Sequence, residues 1–205
     1  MTVLREHFDF LPDAEQSIEV DPREIELDVL DHLRAEGFNR LSMGVQDFNK
    51  EVQRLVNREQ DEDFIFALIA RAKALGFNST NIDLIYGLPK QTPESFAFTL
   101  KRVAELNPDR LSVFNYAHLP SLFAAQRKIK DADLPTAEQR LDILQHTIRF
   151  LTESGYQFIG MDHLRVRMMN WQLLSRKEHY TATFKGIPRR VRAISLGWGF
   201  LLSAC

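Results

Sequence analysis

The sequence predicts an α/β fold in which parallel strands alternate with helices that cover them. Three observations lead there. Short apolar strands are each followed by a stretch whose apolar residues recur at helical spacing. Three helical stretches close alike, with Gly37-Phe38-Asn39, Gly76-Phe77-Asn78 and Gly155-Tyr156-Gln157. Each glycine permits a left-handed stop, and the aromatic can fold back over the helix end. "Arg-Leu-Ser" opens two of the strands, at Arg40 and at Arg110. Strand–helix alternation implies a parallel sheet with right-handed crossovers. Doubly wound sheets and (β/α) barrels share this pattern. No Gly-x-Gly-x-x-Gly follows a strand, which weighs against the dinucleotide-binding version.

The elements follow in order. Ser17 to Val20 reads as a strand, and Asp21-Pro22 as an N-cap and first-turn proline. Leu27, Leu30 and Leu33 give the next helix its stripe, and Gly37 stops it. Arg40 to Val45 is a strand. Phe64, Ile65, Leu68, Ile69, Ala72 and Leu75 mark the clearest helix, closed by Gly76. Asn81 to Tyr86 is a strand, and Thr92-Pro93 caps a helix running to about Leu106. Arg110 to Asn115 is the fourth strand. A polar connection containing Arg127, Lys128 and Lys130 leads to Thr136-x-x-Gln139, a capping box. The helix behind it ends at Gly155, and Gln157 to Gly160 is a fifth strand, expected to lie parallel with the rest.

Composition narrows the classes. The chain is 44% apolar with mixed charge, as in ordinary globular proteins. Arg5, Glu6 and His7 interrupt any apolar run at the start, so no secretory signal is expected. No stretch is long and apolar enough to span a bilayer. The only cysteine, Cys205, excludes an intramolecular disulfide and points to a reducing, cytoplasmic setting. It also excludes a cluster of thiolate ligands made within these residues.

A barrel would carry its site at the C-terminal ends of the strands. Glu19, Gln46, Asp83, Asn115 and the pair Asp162-His163 fall there. Glu19 could equally cap the next helix, Gln46 could be a loop amide, and Arg58 a solvated helix residue. Asp83, between Ile82 and Leu84, is harder to place on a surface, because parallel strands are commonly buried on both faces. His118 and His163 stand too far apart in sequence to argue as metal ligands.

The run from Asp83 to Thr92, Asp-Leu-Ile-Tyr-Gly-Leu-Pro-Lys-Gln-Thr, carries a resemblance to a known family. So do Ser17-Ile18-Glu19-Val20-Asp21-Pro22, Leu41-Ser42-Met43-Gly44-Val45-Gln46, Asn57-Arg58-Glu59-Gln60, Tyr116-Ala117-His118-Leu119-Pro120 and Gly160-Met161-Asp162-His163. With them the chain resembles the oxygen-independent coproporphyrinogen III oxidases, radical S-adenosylmethionine enzymes of haem biosynthesis, from about Leu4 to His163. The resemblance implies a partial (β/α) barrel of the radical S-adenosylmethionine type, its first strands missing. It implies that Glu19, Gln46, Arg58, Asp83 and Ala117 match positions that bind S-adenosylmethionine. Carboxylates and an amide suit ribose hydroxyls, an arginine fork suits the methionyl carboxylate, and Ala117 would offer its backbone to the adenine. The implied substrate is coproporphyrinogen III, a small molecule, with two propionates converted to vinyls through a 5′-deoxyadenosyl radical. The implied protein is usually monomeric, with no nucleic-acid or membrane partner.

Two departures from the family shape the expectation. The family holds a [4Fe–4S] cluster on a Cys-x-x-x-Cys-x-x-Cys motif, which would lie before Met1; without it the chain is expected to lack activity alone. The second departure is a compositional break. Residues 164–205 hold eight basic residues and one acidic, against 18 basic and 27 acidic before them. Both tryptophans and the cysteine also lie there. A basic binding surface is one reading. The other is a one-base shift of reading frame. Restoring one base before the codons of Leu164–Gln172 turns that run into Phe-Ala-Arg-Pro-Asp-Asp-Glu-Leu-Ala, which is family-like. Phe184–Val191 and Leu196–Ala204 regroup in the same phase. The expected division is therefore a partial barrel over 1–163 and a non-native tail over 164–205, with Leu196 to Leu202 disordered or adhesive. Two other functions stay open: a non-catalytic protein binding S-adenosylmethionine or a tetrapyrrole, and a barrel enzyme using Asp83 and His163 as acid and base.

Overall fold

The computed structural model describes residues 1–160, 162–166, 182–184 and 187–191. The elements are α1 (Thr2–His7), β1 (Phe8–Asp9), β2 (Ser17–Val20), α2 (Val29–Ala35), β3 (Arg40–Gln46) and α3 (Lys50–Leu55). Then come α4 (Glu62–Ala74), β4 (Ser79–Tyr86), α5 (Pro93–Leu106), β5 (Arg110–Asn115) and α6 (Ala137–Glu153). They end with β6 (Tyr156–Gly160), β7 (His163–Val166), β8 (Ala182–Phe184) and β9 (Ile187–Val191). Six strands form one sheet in the order β2-β3-β4-β5-β7-β6, with β2 to β5 parallel. Three short strands, β1, β8 and β9, form a second sheet through antiparallel pairs.

Local chemistry sets the boundaries. Asp61 caps α4 by accepting from the Asp63 and Phe64 amides. Thr92 and Ser95 cap α5 reciprocally, with Pro93 at its first position, and Thr136 with Gln139 does the same for α6. Gly76 sits at φ +75°, and the Phe77 amide reaches back to the Ala72 carbonyl at 3.1 Å. That bond and its neighbour satisfy carbonyls the helix end would leave bare.

The strands alternate. On β4, Thr80, Ile82, Leu84 and Tyr86 are buried, while Ser79, Asn81, Asp83 and Ile85 are half-buried on the other face. The buried face meets Ile65, Leu68 and Ile69 of α4 and Phe96, Leu100 and Val103 of α5 in one apolar core. The opposite face is polar and partly open. Asp83 is therefore half-buried: among the described residues, α4 and α5 pack on the other face of β4.

Two sequence expectations need correction. No helix begins at Pro22: α2 starts at Val29. The Asp21 carboxylate instead receives the Arg23 amide and guanidinium, which turns the chain locally. The strand at Gln157 does not join β5 in parallel. The chain reverses after Gly160 (φ +99°) and Asp162 (φ +66°), and β7 lies antiparallel between β5 and β6. β7 also crosses the division expected between 163 and 164, with Leu164 only 2% exposed in the core. The segment Leu196 to Leu202 lies outside the described residues.

Candidate functional site

Strand register lines up a row of residues across the polar face. Gly44 on β3 stands opposite Asp83 on β4, Asp83 opposite Ser112 on β5, and Ser112 opposite His163 on β7. One step earlier, Glu19, Ser42, Asn81 and Arg110 form a second row. These follow from the two-residue side-chain period of strands, which puts every second residue on one face. Asn81 ties the rows together. Its amide donates to Asp83 Oδ1 at 2.7 Å, Ser42 Oγ at 3.0 Å and Ser112 Oγ at 3.2 Å.

Gly44 is the focus. Its carbonyl accepts from Gln60 Nε2 at 3.0 Å and Arg58 Nη2 at 3.5 Å. A Cβ on it would stand 2.7 Å from Gln46 Nε2 and 3.4 Å from Arg58 Nη2, so the absent side chain is what lets both groups lie there. Gln46 itself has φ +69°, at a register shift in β3. The turn folds its amide back over the glycine two residues earlier. Arg58 is 7% exposed and pairs with Asp21 at 3.2 Å. It is not a solvated helix residue: α3 ends at Leu55, and Asn57 at φ +53° turns the chain so that Arg58 points inward. Asn49, which caps α3, thus positions the arginine indirectly.

The electrostatics agree with this convergence. Burial pushes the Glu19 carboxyl above its ordinary value, and the nearby Asp83 charge pushes it further; Arg58 works against both. Burial also raises Asp83, opposed by hydrogen bonds from Ser112 and Asn81 and by the His163 charge. Glu19 therefore feels both the Asp83 carboxylate and the Arg58 guanidinium. Glu19, Gln46, Arg58 and Asp83 are brought together. Ala117 stands on the same rim beyond β5, exposed, and its carbonyl accepts from Gln126 Nε2 at 3.1 Å. No hydrogen bond links it to the other four among the described residues.

Sequence reasoning gave no role to Gln60 or to Asp21 as Arg58's partner. Only the turn signals around Asn57 could have hinted that Arg58 leaves its helix.

The residues fit S-adenosylmethionine. Gln46 Oε1 is inaccessible to solvent and accepts no hydrogen bond, so it is a buried acceptor suited to an ammonium or hydroxyl donor. They do not fit an iron–sulfur cluster. No group of three potential ligands lies together among the described residues, and the sequence has one cysteine.

The family model described as the Radical SAM superfamily matches residues 2–103. The chain is 85% identical over 163 residues to the oxygen-independent coproporphyrinogen III oxidase of Escherichia coli K12, covering 80% of this chain and 36% of that protein. The Salmonella typhimurium protein of the same name matches to the same extent. A solved structure of the Escherichia coli enzyme, described as a radical SAM enzyme, superposes with a TM-score of 0.79 at 84% identity, covering 80% of this chain and 38% of that one. An archaeal Elp3 from Methanocaldococcus infernus shares the fold alone, at a TM-score of 0.54 and 18% identity. The chain thus spans little more than a third of the length of these oxidases. Over four-fifths of its length it is a homologue of the oxygen-independent coproporphyrinogen III oxidases, and it carries the α/β fold of the Radical SAM superfamily.

Proposed function

We propose that this chain is the S-adenosylmethionine-holding portion of a coproporphyrinogen III oxidase, and that these 205 residues bind the cofactor without turning it over. One observation carries the reading: Gly44, Gln46, Arg58 and Asp83 converge across two strands and a loop on a bare-glycine cradle. Bound with a reduced iron–sulfur cluster, S-adenosylmethionine supplies the hydrogen-abstracting chemistry of this superfamily. The residues of this chain do the holding. Arg58 presents a planar fork to the methionyl carboxylate, with Asp21 fixing its plane. Gln46 Oε1 accepts from the amino group or a ribose hydroxyl. Glu19 and Asp83 accept from hydroxyls, and the raised carboxyls make such donors welcome. Ala117 lends backbone to the adenine. The substrate class is coproporphyrinogen III, by homology to relatives of that name.

Residues 1–163 form the native unit in this reading, and 164–205 are the product of a shifted frame. The nucleotide sequence across the codon of His163 tests that directly. For binding, calorimetry with S-adenosylmethionine on the intact chain is the measurement. The expected result is one site, lost in Asp83→Ala and Arg58→Ala. Absence of heat in the folded wild type sinks the binding reading. Formation of 5′-deoxyadenosine after anaerobic reconstitution with iron and sulfide sinks the claim that the chain does not turn over.

A further inference from the structure

Asp47 lies one residue beyond β3 and is 1% exposed, yet it belongs to no set of cofactor residues. Its carboxylate is enclosed by donors from three parts of the chain. Gln91 Nε2 donates at 2.5 Å from the loop after β4, Thr99 Oγ1 donates from α5, and the Asn49 amide donates at 2.8 Å from the cap of α3. Gln53 Nε2 holds the Asp47 carbonyl at 2.8 Å. The backbone before it is strained. The Asp47 amide donates to the Val45 carbonyl at 2.9 Å across Gln46, whose φ is +69°. This is a γ-turn with a left-handed centre, a rare geometry that survives only where neighbours over-determine it.

We propose that Asp47 is a positioning residue: its clamp on Gln91 and Thr99 holds the strained turn that aims Gln46 over Gly44 and into the cofactor site. The inference rests on the S-adenosylmethionine reading for its functional meaning, though the geometry stands apart from it. Gln46 is fixed upstream by β3 and downstream by Asp47, so it cannot relax to an extended conformation while both ends hold. Relaxation would carry its side chain to the other face, since strand side chains alternate. The Gln91 amide cannot reorient to rescue a lost acceptor. Its Oε1 accepts from the Leu88 amide at 2.9 Å, and its Nε2 also donates to the Ile85 carbonyl at 2.9 Å. Asp47→Asn therefore sets an amide donor against Gln91 Nε2 or loses the acceptor for Thr99. Thr99→Val removes one arm of the clamp without adding a donor.

The test uses the full chain. Gln46 side-chain amide resonances are assigned by their loss in Gln46→Ala, and S-adenosylmethionine affinity is measured by calorimetry. Thr147→Val is the control. Thr147 is also 1% exposed, but its hydroxyl donates within α6 to the Ile143 carbonyl at 2.7 Å. Asp47→Asn and Thr99→Val are expected to move the Gln46 resonances and weaken binding tenfold or more, while Thr147→Val does neither at a comparable loss of melting temperature. If Asp47→Asn does not fold, Thr99→Val carries the test. Unmoved Gln46 resonances in the folded variants overturn the proposal. So does equal weakening in the control. If the wild type binds no S-adenosylmethionine, the cofactor reading fails, and the Gln46 resonances still decide the positioning role either way.

Discussion

Arg58 Nη2 lies 3.4 Å from the point where a Cβ on Gly44 would stand, and 3.5 Å from the Gly44 carbonyl oxygen. The glycine is therefore part of the site by having no side chain. Gly44→Ala would place a methyl 2.7 Å from Gln46 Nε2. That atom ends a side chain with rotatable bonds, so the fold can absorb the methyl by moving Gln46. Folding should lose little, about 1 kcal/mol or less in a urea melt. S-adenosylmethionine affinity should fall roughly tenfold, about 1.4 kcal/mol, by calorimetry. Unchanged affinity would show that the missing side chain of Gly44 plays no part in binding.

Arginine at position 58 supplies shape as well as charge. Arg58→Lys keeps the cation near Asp21 but replaces a planar fork by a point charge. Binding should weaken roughly 10- to 100-fold, about 1.4–2.7 kcal/mol, while the melting temperature shifts less than in Arg58→Ala. The alanine variant leaves the Asp21 carboxylate without that partner as well. Equal binding by lysine and arginine would show that only charge matters there.

How much of this was legible beforehand differs by residue. The β4 strand and its carboxylate stood out because the apolar run is interrupted once, at Asp83. The α4 and α5 helices announced themselves through stripes of four or five buried residues and side-chain caps. Arg58 was hidden because α3 spans six residues, too short for an apolar period to show that the chain leaves it at Asn57. Asp47 was hidden for another reason: two of its partners, Gln91 and Thr99, lie 44 and 52 residues away. The reversal into β7 turns on Asp162, a non-glycine at positive φ, beside the point where composition changes. Aspartate tolerates the left-handed region, but that tolerance alone does not say that the chain reverses there.

Stability and binding should trade against each other at Asp83. Its carboxyl and that of Glu19 both sit above their ordinary values of 3.8 and 4.5, chiefly through burial. A raised carboxyl favours the protonated fold. Its stabilising contribution is complete below the unfolded value and lost as pH climbs through the folded one. Asp83→Asn removes the charge the fold disfavours. At pH 7 it should be more stable than wild type by about 0.5–2 kcal/mol and melt higher, and the gap should close as pH drops toward the unfolded value. The same variant should bind S-adenosylmethionine more weakly. A lower melting point at pH 7 would mean that the Asn81 and Ser112 hydrogen bonds outweigh the burial of charge.

The helix stop at Gly76 isolates backbone strain from packing. Its φ is +75°, and a Cβ there would meet nothing within 4 Å. Gly76→Ala thus pays only for the left-handed backbone, about 1–2 kcal/mol. Asn107 ends α5 at φ +50° with a side chain that tolerates this region. Gly76→Asn should therefore cost less than Gly76→Ala. Both are remote from the polar rows, so cofactor affinity should be unchanged in both. Chemical denaturation of the three proteins gives the order wild type, asparagine, alanine. Alanine equal to wild type would show that α4 can end without its left-handed residue, by refolding the turn that the Phe77 amide closes onto Ala72.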